Sequence, residues 1–111
     1  MEIEIEDKGD YSLVRLDGRF VASCSEELKE QVGKALEKRP NVLFDLEKMT
    51  HIDSSGLGAL VSVLQKTKSL GGTTRLACLQ PHPRIVFDIT KVFRVFEIFD
   101  DLESAMKSFE G

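Results

Sequence analysis

Two hydrophobic periods alternate along this chain. Met1, Ile3 and Ile5 alternate with Glu2, Glu4 and Glu6, the period of a strand with one wet face. Asp7-Lys8-Gly9-Asp10 reads as a turn, and Tyr11 to Leu16 resumes the strand pattern through Leu13 and Val14. The short connection predicts an antiparallel hairpin, with Asp17-Gly18 expected to close its second strand.

Beyond Phe20 and Val21 the period lengthens. Ser23 with Glu26 has capping-box spacing, and Leu28, Val32, Ala35 and Leu36 share one helical face. Glu26, Glu27 and Glu30 near the start, and Lys34, Lys38 and Arg39 near the end, suit the helix dipole. Pro40 ends the helix by forcing its predecessor out of helical geometry. Val42-Leu43-Phe44 is an unbroken apolar run, the mark of a strand buried on both faces, and Leu46, Met49 and Ile52 carry apolar content onward.

Leu57, Leu60, Val61, Leu64 and Leu70 predict a helix from Ser55 to Leu70, stopped by Gly71-Gly72. Thr73 to Leu79 reads as a strand, and Pro81-His82-Pro83 breaks the chain before a short helix carrying Ile85, Val86 and Ile89. Val95 to Phe99 is a last strand; Asp100 with Glu103 would cap a terminal helix bearing Leu102, Ala105, Met106 and Phe109. The order ββαβαβαβα predicts a small α/β sandwich whose sheet is mostly parallel after an N-terminal antiparallel hairpin.

With 111 residues, the chain is expected to be a single domain spanning 1–111 with one core. A net charge of -4 and a pI near 5.2, without a basic stripe, argue against a nucleic-acid partner. No apolar run approaches the ~20 residues of a membrane span, and the acidic start lacks a signal-peptide layout; a cytoplasmic protein with no direct membrane insertion is expected. Cys24 and Cys78 stand far apart with no CxxC pair, so two reduced, partly buried thiols are expected, with no metal and no cofactor.

The chemistry is concentrated in Met49-Thr50-His51-Ile52-Asp53-Ser54-Ser55-Gly56-Leu57-Gly58-Ala59-Leu60. Two hydroxyls and a carboxylate fall where an apolar run gives way to a helical pattern, among the unpaired N–H groups of a helix start. No catalytic motif fits. The first glycine of G-x-S-x-G is absent, no third glycine completes a dinucleotide fingerprint, and no Gly-Lys-Ser/Thr run marks a nucleotide loop. His51, Asp53 and Ser54 lie too close in sequence for a triad, and His82 between two prolines reads as a turn residue. Gly56 and Gly58 each cost about 0.5 to 1 kcal/mol relative to alanine in a helix, which implies close approach of a partner or of the domain's own packing.

Asp53-Ser54-Ser55-Gly56-Leu57-Gly58 after an apolar strand, with Gly71-Gly72 closing the helix, resembles STAS domains of the anti-sigma factor antagonist type. The resemblance extends over almost the whole chain. It takes in Leu16-Asp17-Gly18-Arg19-Phe20, the strand from Val42 to Leu46, and Phe87-Asp88-Ile89-Thr90 leading to Val92-Phe93. It implies a STAS-like sandwich with helices mainly on one face of the sheet. It also implies a non-enzymatic partner-switching role: the unphosphorylated protein binds an anti-sigma factor serine kinase and releases a sigma factor. Phosphorylation of the first motif serine, here Ser54, ends the binding until a phosphoserine phosphatase restores it.

On this reading Asp53, Ser55, Gly56, Leu57, Gly58 and Val21 form the partner-binding surface. The alternative is a constitutive STAS scaffold subunit of a stress-signalling or lipid-transport complex. Two positions depart from the family's pattern. Val21 stands where such antagonists often carry an aspartate, and Lys91 where a glycine usually follows the third helix.

Overall fold

The computed structural model describes residues 2–110. Met1, the first residue of the expected alternation, lies outside them. The elements are β1 (Glu2–Asp7), β2 (Ser12–Phe20), α1 (Ala22–Lys38), β3 (Val42–Asp45), β4 (Met49–Ile52) and α2 (Ser54–Ser69). There follow β5 (Thr74–Ala77), α3 (Pro81–Thr90), a 3-10 turn (Val92–Arg94), β6 (Glu97–Phe99) and α4 (Leu102–Glu110). The sheet runs β1-β2-β3-β5-β6; β1 is antiparallel to β2 and every later pairing is parallel. Among the described helices none is long and apolar enough to cross a membrane.

The expected hairpin and parallel sheet are present, but β2 does not end at Asp17-Gly18. It continues to Phe20, because β4, a strand absent from the sequence expectation, pairs with its far half at Gly18, Arg19 and Phe20. Gly18 supplies φ +103 where the register shifts, and its N–H donates to the Lys48 carbonyl at 2.9 Å. Thus β2 pairs with β3 over Ser12 to Arg15 and then with β4.

Alternation divides the apolar residues between two layers. Val14, Leu16, Val42, Phe44 and Leu76 face the main core with Leu28, Val32 and Leu36 of α1, Leu57, Leu60 and Leu64 of α2, and Phe87 of α3. Leu13, Leu43 and Ala77 face the other way, where α4 covers them with Ala105, Met106 and Phe109. This is why Val42-Leu43-Phe44 is dry throughout. Three helices lie over one face and one over the other.

Several boundaries differ from the sequence expectation. The helix α1 begins at Ala22, ahead of Ser23, so Ser23 and Glu26 do not form its cap. The cap of α4 is Asp101: its carboxylate accepts the Ser104 N–H at 2.7 Å, and the Asp100–Glu103 box does not form. In α2 the buried face includes Val63 and Thr67, whereas Leu70 is exposed just past the helix. In α3 the buried residues are Pro83 and Phe87; Ile85 and Ile89 point outward.

The C-terminus of α2 has its expected glycine stop. Gly72 N–H bonds the Thr67 carbonyl at 2.7 Å and Gly71 N–H bonds that of Lys68 at 3.1 Å, with Gly71 at φ +78. These are the paired bonds of a Schellman motif. A Cβ at Gly72 would lie 1.8 Å from the Pro40 carbonyl oxygen, so the turn also needs glycine for space. Lys91, in the glycine position after α3, keeps the left-handed conformation at φ +59.

Candidate functional site

The start of α2 is built around Asp53. Its backbone is extended, its N–H donates to the Phe20 carbonyl at 3.3 Å, and its Oδ1 accepts the Gly56 N–H at 2.8 Å. This is an N-cap made by the residue type best suited to it. The second carboxylate oxygen reaches another element. Asp53 Oδ2 accepts the N–H of Ala22, the first residue of α1, at 3.3 Å.

That bond explains how α1 starts without a capping side chain of its own. Val21 is the N-cap residue and has no oxygen to offer; its backbone is extended and no side-chain cap bond forms there. Asp53 supplies the acceptor across 31 residues of sequence, so two helix N-termini converge on one carboxylate. Val21 is flanked by Phe20 and Ala22, both bonded to Asp53, and is half-buried at the junction. A second link runs beside it, from Ser25 Oγ to the Ser55 carbonyl at 3.3 Å.

Ser54 and Ser55 are the first two residues of α2, and both are exposed. Among the described residues no protein acceptor meets their backbone N–H groups, which therefore face solvent at the positive end of the helix. A negatively charged group on the Ser54 hydroxyl would meet donors there, with the Asp53 carboxylate turned inward to its two amides.

The remaining residues of the motif separate into two kinds. Gly56 is buried against the sheet: a Cβ there would lie 2.4 Å from the Phe20 carbonyl oxygen and 3.1 Å from Ile52 Cγ1. Internal packing therefore accounts for Gly56. Leu57 is 5% exposed and belongs to the core, so neither residue offers a side chain to a partner. Gly58 differs. It is exposed, and a Cβ there would meet nothing within 4 Å, so the helix surface one turn beyond Ser54 is bare for no internal reason.

A triad does not assemble. His51 Nδ1 lies 3.1 Å from its neighbour Thr50 Oγ1, and both Asp53 oxygens are occupied by backbone amides. His51 instead meets His82, their ring centroids 4.8 Å apart and tilted by 56°. His82 lies in the first turn of α3, not in a loop. No local pattern signals this contact, nor the bond from Ala22 to Asp53; both depend on β4 bringing its end beside β2 and α3.

An open mixed sheet with a strand-loop-helix junction of this form defines a class, and comparison with known proteins agrees with it. A family model described as the STAS domain matches residues 2–105, and the chain belongs to that family. The anti-sigma F factor antagonist of Paenibacillus polymyxa is 24% identical over 112 residues, covering 99% of this chain and 96% of its own.

Among solved structures, a Thermotoga maritima protein provisionally assigned as an anti-sigma factor antagonist superposes with a TM-score of 0.90 at 20% identity. The match covers 98% of this chain and 95% of that one. The anti-sigma factor antagonist SpoIIAA in its unphosphorylated form gives 0.78 at 20% identity, covering 99% of each chain. SpoIIAA of Bacillus in the phosphorylated form gives 0.76 at 19% identity, covering 96% and 98%. These likenesses establish the fold.

Proposed function

We propose that this chain is a non-enzymatic, cytoplasmic anti-sigma factor antagonist whose binding to an anti-sigma factor serine kinase is controlled at Ser54. Unphosphorylated, it docks through the start of α2 and releases the sigma factor. Phosphorylation ends the docking, and a phosphoserine phosphatase reverses it. The observation that carries this reading is the placement of Ser54: exposed, first in its helix, on a carboxylate-capped turn held rigid by two elements. The relatives that carry the antagonist name, one of them solved in a phosphorylated form, support it.

The partner-facing atoms would be those of Ser54, Ser55 and Gly58, with Val21 at the edge. A phosphoserine adds about -1.5 to -2 charges, which the helix start tolerates but a docked, desolvated contact does not. Incubation with the cognate kinase and ATP tests the site. Ser54→Ala should abolish phosphate incorporation; uptake at the normal rate on another residue would remove Ser54 from the mechanism.

One observation favours a second reading. Val21 offers no acid beside the serine, which suits a scaffold subunit docking through the same surface without a phosphate cycle. In that case no kinase of the native cell would label the protein.

A further inference from the structure

The helix α3 is held to the domain by Pro83 and Phe87, and this leaves Ile85 54% and Ile89 75% exposed, one turn apart. Phe93 and Val95 follow at 42% and 52%, so four large apolar side chains stand in solvent on one short stretch. Asp88, exposed, lies one turn after Ile85 and borders the Ile85–Ile89 row on its edge.

The charges of this stretch are not neutralised by ion pairs within the described residues. Arg84, one turn before Asp88, directs its guanidinium to the Leu79 carbonyl at 3.3 Å. Lys91, three residues after Asp88, is swung off the helical path by its left-handed backbone at φ +59. Among the described residues Asp88, Lys91 and Arg94 form no ion pair, and the Arg94 guanidinium lies 5.9 Å from the centre of the exposed Phe93 ring. A non-glycine residue in that conformation costs about 1 kcal/mol, so the lysine is kept at a cost beside exposed Ile89 and Phe93.

We propose that this face, α3 with the turn after it, binds a second copy of the chain about a twofold axis. Ile85 and Ile89 pack on their counterparts, and Asp88 of each copy meets Lys91 and Arg94 of the other. An isologous contact requires a patch that complements itself, each residue i meeting j while j meets i. This patch holds apolar surface and both signs of free charge, which satisfies the requirement twice over. The inference stands apart from the role of Ser54.

Sedimentation of the full chain from about 10 μM to about 1 mM, the range suited to a small interface, tests it. The expected result is a concentration-dependent dimer. Ile89→Glu should leave a monomer whose melting temperature equals that of the unaltered protein at a dilution where both are monomeric, because the side chain is mostly in solvent. Asp88→Lys and Lys91→Asp should each weaken association about tenfold or more, by placing like charges opposite one another at both contacts. An equal mixture of these two variants sets opposite charges at both contacts and should restore the dimer, and Ser54→Ala should dimerise as the unaltered protein does. A monomer throughout, a dimer indifferent to Ile89→Glu, a mixture that stays monomeric, or binding to phosphatidylglycerol vesicles by a monomer would each overturn the proposal.

Discussion

The carboxylate of Asp53, at the start of α2, accepts the amide of Ala22, at the start of α1, at 3.3 Å. With its other oxygen on Gly56 N–H, this one side chain satisfies an orphan donor on each of two helices. It ties the junction beneath Val21 to the loop that presents Ser54.

Asp53→Ala should therefore cost more than an ordinary cap. One N-cap is worth about 1 kcal/mol, and removing the acceptor of two helices should cost about 2 kcal/mol. Asp53→Asn keeps one acceptor oxygen and should lose about half as much. Urea unfolding at neutral pH measures both; an Asp53→Asn variant as stable as the unaltered protein, beside an Asp53→Ala variant that loses only about 1 kcal/mol, would mean that the bond to Ala22 contributes nothing.

The two motif glycines should respond in opposite directions to the same change. Gly58→Ala adds a methyl to open space in a helix and should stabilise by about 0.5 to 1 kcal/mol. Gly56→Ala drives a Cβ against the Phe20 carbonyl and should destabilise by about 2 kcal/mol or more. Thermal melts of the two variants make the comparison. If Gly58 is part of a docking surface, its stabilised variant should bind the kinase less well.

Ser54→Asp places a fixed charge at the helix start. Partner affinity should fall by about 5- to 150-fold, or 1 to 3 kcal/mol, as charge enters a desolvated contact. The fold should hold, since an acidic residue suits that end of the helix. Calorimetry against the kinase reads the change, and an unchanged affinity would refute the switch.

Tyr11 gives the protein an alkaline limit. Its ring is stacked on Phe109 at 4.6 Å, the residue is 2% exposed, and its hydroxyl has no partner among the described residues. Burial, first, and the nearby carboxylates of Glu110, Glu6 and Asp10 raise its ionisation above the ordinary 10.0. A raised acid is neutral in the fold, so its contribution is complete below pH 10.0 and is lost as pH climbs through the folded value. Tyr11→Phe should remove this limb and gain up to about 1 kcal/mol at neutral pH by deleting an unsatisfied buried hydroxyl. Unfolding curves from neutral to strongly alkaline pH check both effects.

Elements whose information is local were legible in the chain. The alternation of Ile3 and Ile5, the row Leu28-Val32-Leu36, the run Val42-Leu43-Phe44 and the stop Gly71-Gly72 state their own structure, since period and backbone freedom act over a few residues. The order of these elements was enough for a largely parallel sheet. Capping was less legible, because Ser23-Glu26 and Asp100-Glu103 satisfy the spacing while Asp53 and Asp101 hold the geometry.

Pairing over distance was decided only in three dimensions. β4 is a strand because β2 runs past Gly18 to meet it, and its four residues carry too little pattern to predict that alone. The exposure of Ile85 and Ile89 follows from which side of α3 the sheet and β4 accept, a choice that a short helix apolar on two sides does not encode. For the candidate site, the sequence placed Asp53 and Ser54 together at a helix start where either could cap, because a helix start is a local affair, and the structure makes Asp53 the cap with Ser54 first in the helix. Only the tertiary structure decided that the same carboxylate holds α1, that Gly56 is bare for Phe20 and that Gly58 is bare for nothing inside the domain, because those facts depend on which backbones come to lie side by side.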